Sequence, residues 1–267
     1  MVRLAANLSM MFREQPFLDR FEAAAQAGFS GIEYLFPYDH AAADIRRCLE
    51  AFGLQQVLFN LPAGDWEKGE RGLAGIPGRE ADFRAALMTA LDYAQALGCP
   101  RLHVMAGVIP EGADEAECVR VYERNLGLAA RLAEKAGCEV LIEPINTRDM
   151  PGYLLNTQAM AQEVISRVGA GNLRLQFDIY HCQIMEGDLT RTLERVWPLL
   201  SHVQIAGVPD RHEPDGGEVS YRWLLNHLAA LGYDGWVGCE YVPRGDTTAG
   251  LSWARDWGYL AQTPEEG

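Results

Sequence analysis

Eight short apolar segments recur along this chain, and the stretches between them have the pattern of amphipathic helices. Glycine follows the last turn of most of these helices, as at Gly98 and Gly169, where a left-handed backbone commonly ends a helix. This repeated order of helix, glycine and strand predicts βα units and a parallel sheet. The predicted strands cover residues 3–9, 31–36, 55–60, 101–105, 139–144, 173–178, 202–206 and 236–241.

Eight βα units in 267 residues match the size of a (β/α)₈ barrel. The alternative is a doubly wound sheet, which usually has a glycine-rich phosphate-binding turn after its first strand. The first predicted strand instead runs into NLSMMFREQP, without GxGxxG, and the sequence contains no GxxxxGK[ST] motif. We therefore predict a single (β/α)₈ TIM barrel over residues 1–267, since no linker or composition shift divides the chain.

Composition narrows the class of protein. With 48% hydrophobic and 22% charged residues, the chain can bury a large core. It has no apolar run of about 18 residues, so no membrane span is expected. The first residues do not resemble a signal peptide, so we expect a cytoplasmic protein whose six cysteines are reduced thiols. A formal net charge of −14 argues against nucleic-acid binding, which needs clustered Lys and Arg.

The connection after the third predicted strand, residues 61–78, is unusually long. Loops beyond about 12–15 residues are often lids or binding loops. Several glycines would let this loop move, and Trp66 could close an apolar wall over a ligand. The alternative is a solvated loop with one packed Trp.

Four oxygen-bearing residues stand at the carboxyl ends of the last four predicted strands: Glu143, Asp178, Gln204 and Glu240. In a parallel barrel these side chains converge on the mouth where such barrels place their chemistry. Three carboxylates in one small space repel each other unless a cation lies between them. The sequence therefore predicts a metal site, and oxygen ligands favour Mg²⁺ or Mn²⁺ over zinc.

Such a site could polarise a carbonyl group and hold two neighbouring substrate oxygens. Glu143 and Glu240 are the expected catalytic pair, which would remove a proton from one carbon and return one to the next. Asp178 and Gln204 would then serve mainly as ligands. A carboxylate at a strand end can instead cap the next helix. We favour a shared site, because the residues after Glu143 and Asp178 do not resemble a simple capping box.

Other residues near the predicted mouth are candidates for substrate binding. His181 could donate a hydrogen bond to a substrate oxygen or orient Asp178. Arg211 could grip a carboxylate. The remaining candidates are His103, His212, Trp66 and Arg71, each of which could also have a purely structural or surface role.

Several segments together resemble the hydroxypyruvate isomerases, from the first strand to about Trp253. They are NLSMMF, EYLFPY, NLPAGDW with GERG, LIEPIN, FDIYHCQ, HVQIAGVPDRHEPDGGE and GWVGCEY. The family belongs to the xylose isomerase-like barrels. The resemblance implies interconversion of hydroxypyruvate and tartronate semialdehyde through an enediolate. It places the catalytic pair at Glu143 and Glu240 and the metal at Glu143, Asp178, Gln204 and Glu240.

Related barrels offer alternatives. Ketose 3-epimerases have His where this chain has Gln204, which favours the isomerase branch. The zinc DNA-repair endonucleases of the same group need a cluster of His, and this chain has six His in all. A four-carbon substrate such as 2-oxotetronate stays open, as does a non-catalytic binding protein. The expected partner is a small hydroxy-oxo acid, and a homo-oligomer is also left open.

Overall fold

The computed structural model describes residues 2–261 and contains a closed barrel of parallel strands. Each strand pairs with the next in chain order, and the last pairs with the first. The strands are β1 (Arg3–Asn7), β2 (Gly31–Tyr34), β3 (Gln55–Asn60), β4 (Arg101–His103), β5 (Glu139–Ile142), β6 (Leu173–Asp178), β7 (Leu200–Ile205) and β8 (Trp236–Cys239). The predicted TIM barrel is confirmed. Met1 and residues 262–267 of the predicted domain lie outside the described residues.

Helices surround the barrel and connect successive strands. They are α1 (Arg20–Gln26), α2 (Ala42–Phe52), α3 (Glu80–Leu97), α4 (Glu115–Lys135), α5 (Gln158–Val168), α6 (Ile179–Met185), α7 (Leu189–Val196), α8 (Tyr221–Ala230) and α9 (Ser252–Asp256). Short 3₁₀ turns cover Phe17–Asp19, Trp197–Leu199 and Ala249–Leu251. In the described part of the chain, no helix is long and apolar enough to cross a membrane.

The helices end at or near the glycines identified from the sequence. Gly98 and Gly169 end α3 and α5 with φ of 65° and 67°, the left-handed conformation that glycine adopts without strain. Strand ends were predicted less well. The segments 139–144 and 236–241 leave the sheet at Ile142 and Cys239, because the chain turns into the loops of the mouth. Glu143 and Glu240 therefore lie just beyond their strands.

The side chains inside the barrel change from apolar to polar along its axis. Near its amino-terminal end, the ring of Trp236 reaches past β1 to Gly31 on β2, where an added Cβ would lie 2.5 Å from the ring. Trp236 belongs to a small buried apolar cluster that is separate from the larger core. Buried polar side chains follow towards the carboxyl ends, among them Gln56, Gln176 and His202. The six cysteines are free thiols, five of them buried.

Candidate active site

A cavity of about 130 Å³ lies at the carboxyl ends of the strands. Binding sites for drug-sized ligands are commonly about 300–1,000 Å³, so this one suits a molecule of few carbons. Its polar wall consists of Asn60, His103, Glu143, Asp149, Gln176, His181, Arg211 and Glu240. Its apolar wall consists of Met10, Leu35, Trp66, Met105, Ile145 and Met150.

The four oxygen-bearing residues predicted at the strand ends are brought together here. Asp178 ends β6 and stands opposite Gln204 of β7 in the sheet register. Glu143 and Glu240 directly follow β5 and β8. All four side chains are buried. The amide Nε2 of Gln204 donates a hydrogen bond to Glu240, and Nε2 of His181 lies 3.8 Å from carboxylate oxygens of both Glu143 and Asp178.

Asp178 combines two tasks that were treated as alternatives. Its Oδ1 accepts hydrogen bonds from the backbone N–H groups of Tyr180 at 2.7 Å and His181 at 3.2 Å, so it caps α6. Asp178 is therefore a helix cap, although the residues after it do not form a capping box. Its Oδ2 is buried without a hydrogen-bond partner among the described residues and lies 3.6 Å from Nη2 of Arg211. One oxygen therefore serves the fold, while the other is available to the site.

The negative charges of these buried carboxylates are only partly balanced by neighbouring positive charge. Burial raises the pKa of Glu143 well above its ordinary range, and the charges of Glu240 and Asp178 raise it further. Burial also raises the pKa of Asp178. For Glu240, burial raises the pKa to about 8, although the guanidinium of Arg211 opposes the rise. A cation bound among these oxygens would restore their ionised forms.

Arg211 is the cation that the chain itself supplies. Its Nη2 donates to Oε1 of Glu240 at 2.8 Å, and its guanidinium stacks 4.9 Å from the ring centre of Tyr180. The backbone at Arg211 has a left-handed φ of 59°, uncommon for a residue with a side chain. The next residue, His212, is not brought to the cavity. Its Nδ1 lies 2.7 Å from the carbonyl oxygen of Val242 and ties two loops together.

The hydrogen bonds of His181 define its tautomer. Its Nδ1 lies 2.6 Å from Nδ2 of Asn146, whose Oδ1 is already occupied by the backbone N–H of Asp149. The backbone N–H of Asn146 also donates to Nδ1, at 3.4 Å. Because Nδ1 accepts, Nε2 of His181 carries the hydrogen and faces the carboxylates. One atom each from Glu143, Asp178 and His181 lie within 4.8 Å of one another, but this tautomer favours hydrogen-bond donation by His181 over metal ligation.

The residues present fit a hard divalent cation. Oε1 of Glu143 and Oδ2 of Asp178 are buried and, within residues 2–261, have no hydrogen-bond partner. Carboxylate oxygens of this kind suit Mg²⁺ or Mn²⁺. Gln204 is not ready to act as a metal ligand, because its Oε1 already accepts a hydrogen bond from Nε2 of Gln176 at 2.6 Å. Ligation by the oxygen of Gln204 requires that amide to turn, and its role as a ligand stays a prediction.

Glu33 on β2 belongs to this site and was missed by sequence reasoning. It is 1% exposed, and its carboxylate accepts from Nδ2 of Asn7 at 3.1 Å and from Nε2 of Gln204 at 2.8 Å. Its other oxygen lies 2.7 Å from Nε2 of His202. Gly238 leaves the space that this carboxylate fills. The charged residue inside the apolar segment GIEYLF was the available signal, but Glu33 stands in the middle of the barrel rather than at a strand end.

The long loop is anchored rather than freely solvated. The backbone N–H of Gly75 donates to the carbonyl oxygen of Ala106 at 2.7 Å, and Trp66 lines the cavity with 39% of its surface exposed. Arg71 is not at the cavity. Its guanidinium lies 3.9 Å from the ring centre of Trp66 and donates to the carbonyl oxygens of Trp66 and Glu70. Arg71 therefore braces Trp66, and movement of the loop as a lid stays a prediction.

Comparison with known proteins identifies the family of this barrel. The family model of xylose isomerase-like TIM barrels matches residues 21–257. The chain belongs to this family. A 2-oxo-tetronate isomerase of Cupriavidus necator is 58% identical over 96% of this chain and 99% of that protein. A hydroxypyruvate isomerase of Escherichia coli is 46% identical over 95% of this chain and 98% of that protein.

A solved structure from Brucella melitensis, described as an AP endonuclease of family 2, has 53% sequence identity. It superposes with a TM-score of 0.94 and covers 96% of this chain and 99% of that one. The predicted resemblance to the hydroxypyruvate isomerase family is confirmed, and the chain is an isomerase of the xylose isomerase-like family. Its barrel mouth is therefore expected to carry isomerase chemistry.

Proposed function

We propose that this isomerase uses a divalent metal, Mg²⁺ or Mn²⁺, to move the carbonyl group between carbons 2 and 3 of a short hydroxy-oxo acid. The observation that carries the proposal is the convergence of buried carboxylates on one guanidinium at the barrel mouth. Glu143 and Glu240 line the small cavity, and Asp178 lies behind its wall, 3.6 Å from Nη2 of Arg211. Glu143, Asp178 and Glu240 would hold the metal, with Gln204 after its amide turns. When bound, the metal polarises the carbonyl group and aligns it with the neighbouring hydroxyl group.

Glu143 and Glu240 then carry the proton transfer. One carboxylate removes the proton from carbon 3, and the electron pair forms the double bond of an enediolate. A carboxylic acid returns a proton to carbon 2, while the hydroxyl proton passes from the oxygen on carbon 3 to the oxygen on carbon 2. The oxygen on carbon 3 becomes the new carbonyl oxygen. Burial raises the pKa of Glu240 in the metal-free protein, which makes its ionised form a stronger base for the carbon-bound proton. The N–H of His181 donates to a substrate oxygen, and Arg211 binds the carboxylate of the acid.

The choice between a four-carbon and a three-carbon acid is left to experiment, with the four-carbon acid favoured. The relative with 58% identity is named a 2-oxo-tetronate isomerase, as is one from Haemophilus influenzae with 47% identity. Hydroxypyruvate is the second candidate, since the 46%-identical relative from Escherichia coli is named for it. Both acids carry a hydroxyl group beside the carbonyl group, so the same side chains serve either. A comparison of kcat/KM for the two acids decides between them.

Proton NMR in D₂O tests the proposal as a whole. Metal-stripped protein is incubated with each acid, before and after Mg²⁺ or Mn²⁺ is added. We expect metal-dependent loss of the C3 proton signal and appearance of the isomer with the carbonyl group on carbon 3. Exchange without a new product would support the proton-transfer residues but point to another acid. If neither acid shows exchange with either metal, the proposal fails and a binding role takes its place. Cytoplasmic location and a homo-oligomer stay predictions.

A further inference from the structure

His103 has one ring nitrogen with a partner and one without. The side chain is 1% exposed, and its Nδ1 lies 3.1 Å from Oδ1 of Asn60. Its Nε2 is buried and has no hydrogen-bond partner in the described part of the chain, and His103 belongs to the cavity wall. A buried polar atom without a partner costs free energy. A molecule in the cavity could supply the partner that the protein does not.

The amide of Asn60 determines which nitrogen of His103 carries the hydrogen. Nδ2 of Asn60 lies 3.8 Å from the sulfur of Met105, which is a weak acceptor, so Oδ1 is turned towards His103. A carbonyl oxygen only accepts hydrogen bonds, and Nδ1 of His103 must therefore donate. Oε2 of Glu143 lies 3.7 Å from the same nitrogen and favours the same tautomer. Nε2 is left with a lone pair.

We infer that His103, held by Asn60, accepts a hydrogen bond from the substrate hydroxyl group and so selects acids with a hydroxyl group on carbon 3. The inference rests on the proposed function, because it assigns a role in binding that substrate. Nε2 of His103 is buried and has no hydrogen-bond acceptor among the described residues, so nothing there favours a second hydrogen on the ring, and Nε2 acts as an acceptor.

The two imidazole rings of the cavity then have opposite hydrogen-bonding roles. His181 presents an N–H group, which fits a carbonyl oxygen, whereas His103 presents a lone pair, which fits a hydroxyl hydrogen. A carbonyl group and a hydroxyl group on adjacent carbons offer one acceptor and one donor. An acid that lacks the hydroxyl group would leave Nε2 of His103 buried without a partner, and this loss is the physical basis of the selection.

Calorimetry on the Mn²⁺-loaded protein tests the inference with two acids that differ only by a hydroxyl group on carbon 3, glycerate and lactate. We expect the wild type to bind glycerate at least about tenfold more tightly. In His103→Phe the preference should fall below about threefold. His103→Gln, whose amide oxygen can take the place of Nε2, should keep part of it. His227→Phe makes the same replacement on α8, away from the cavity, and should leave the preference for glycerate unchanged.

Full preference for glycerate in His103→Phe overturns the inference, even if proton exchange in the wild type supports the proposed function. Nitrogen NMR of the wild-type ring gives a second measurement that needs no variant. A pyridine-type signal for Nε2 supports the inference, and an N–H signal there overturns it. Failure of both acids to bind the wild type, together with absence of proton exchange, would defeat the proposed function itself.

Discussion

The carboxylate of Glu33 and the ring of His202 meet at 2.7 Å in the middle of the barrel, although 169 residues separate them in the sequence. Both side chains are buried, at 1% and 0% exposure. The same carboxylate accepts from Gln204, the predicted ligand above it. The interior of the barrel therefore connects β2 to β7 directly beneath the carboxylates of the site, and this connection depends on the space that Gly238 leaves.

Gly238→Ala should disturb that connection. An added Cβ would lie 2.4 Å from Oε1 of Glu33, which cannot move freely because Asn7 and Gln204 hold it. We expect a loss of about 1–3 kcal/mol in the free energy of unfolding, together with weaker Mn²⁺ binding. Denaturant unfolding and Mn²⁺ titration measure the two effects.

Gly127→Ala is the matched control for this change. Gly127 lies inside α4, where an added Cβ meets only the flexible end of Arg131 at 3.5 Å. Alanine there should stabilise the protein by about 0.5–1 kcal/mol without changing metal affinity. Equal effects of the two substitutions on stability would contradict the close packing of Glu33 against Gly238.

Glu240→Gln and Glu143→Gln should each reduce turnover by about 10²–10⁴-fold, since each removes a group that exchanges a proton with substrate. Far-ultraviolet circular dichroism should show that the barrel is intact. Glu139→Gln is the control and should keep wild-type turnover. Glu139 begins β5 at the opposite end of the barrel, where its carboxylate accepts a hydrogen bond from Ser201. Near wild-type turnover in either active-site variant would disprove the proton-transfer pair.

The stability of the metal-free protein should fall as pH rises from about 4.5 to about 8. Burial raises the pKa of Glu240 from 4.5 to about 8, so between these values the folded state binds more protons than the unfolded state. The stabilisation is fully present below pH 4.5 and is lost as pH passes the folded-state pKa. Melting temperatures of the wild type and of Glu240→Gln, measured across this range, should show a smaller slope in the variant.

Binding of a divalent metal should change the pH dependence of stability and release protons from the buried carboxyl groups. A divalent cation favours the ionised carboxylates, so its binding near neutral pH displaces protons from the buried acids. Proton release can be measured by calorimetry in buffers of different ionisation enthalpy. Binding of Mn²⁺ without proton release at neutral pH would show that the acids are already ionised in the metal-free protein.

Arg211→Met should raise KM for the acid substrate by about tenfold to a hundredfold, because it removes a charged hydrogen-bond donor from the cavity. Arg244→Met is the control. Arg244 also pairs with a buried carboxylate, that of Glu213, but its side chain is 54% exposed and it does not line the cavity. Steady-state kinetics on both variants separate the roles. A similar KM in the two variants would argue that Arg211 does not contact substrate.

Much of the fold and part of the site could be predicted because both depend on local pattern. A polar residue that ends an apolar strand lies at the barrel mouth wherever the strand sits in the sheet. This reasoning applied to Glu143, Asp178, Gln204 and Glu240, which the structure brings together. The left-handed glycines at helix ends followed from the same kind of local rule.

Contacts across the barrel could not be predicted in this way. The position of Glu33 depends on which strands face it and on the missing side chain at Gly238. The directions of Arg71 and His212 depend on loop backbone, which turns one towards Trp66 and the other towards Val242. Neither direction leaves a periodic signal in the sequence.

Asp178 limits how this barrel can change during evolution. A mutation there alters the charge of the site and at the same time removes two hydrogen bonds that begin α6. Asparagine could keep the helix start and lose only the charge, whereas alanine would lose both. A descendant that abandons the present chemistry is therefore expected to pass through Asn at this position, with its helix preserved while a new activity is selected.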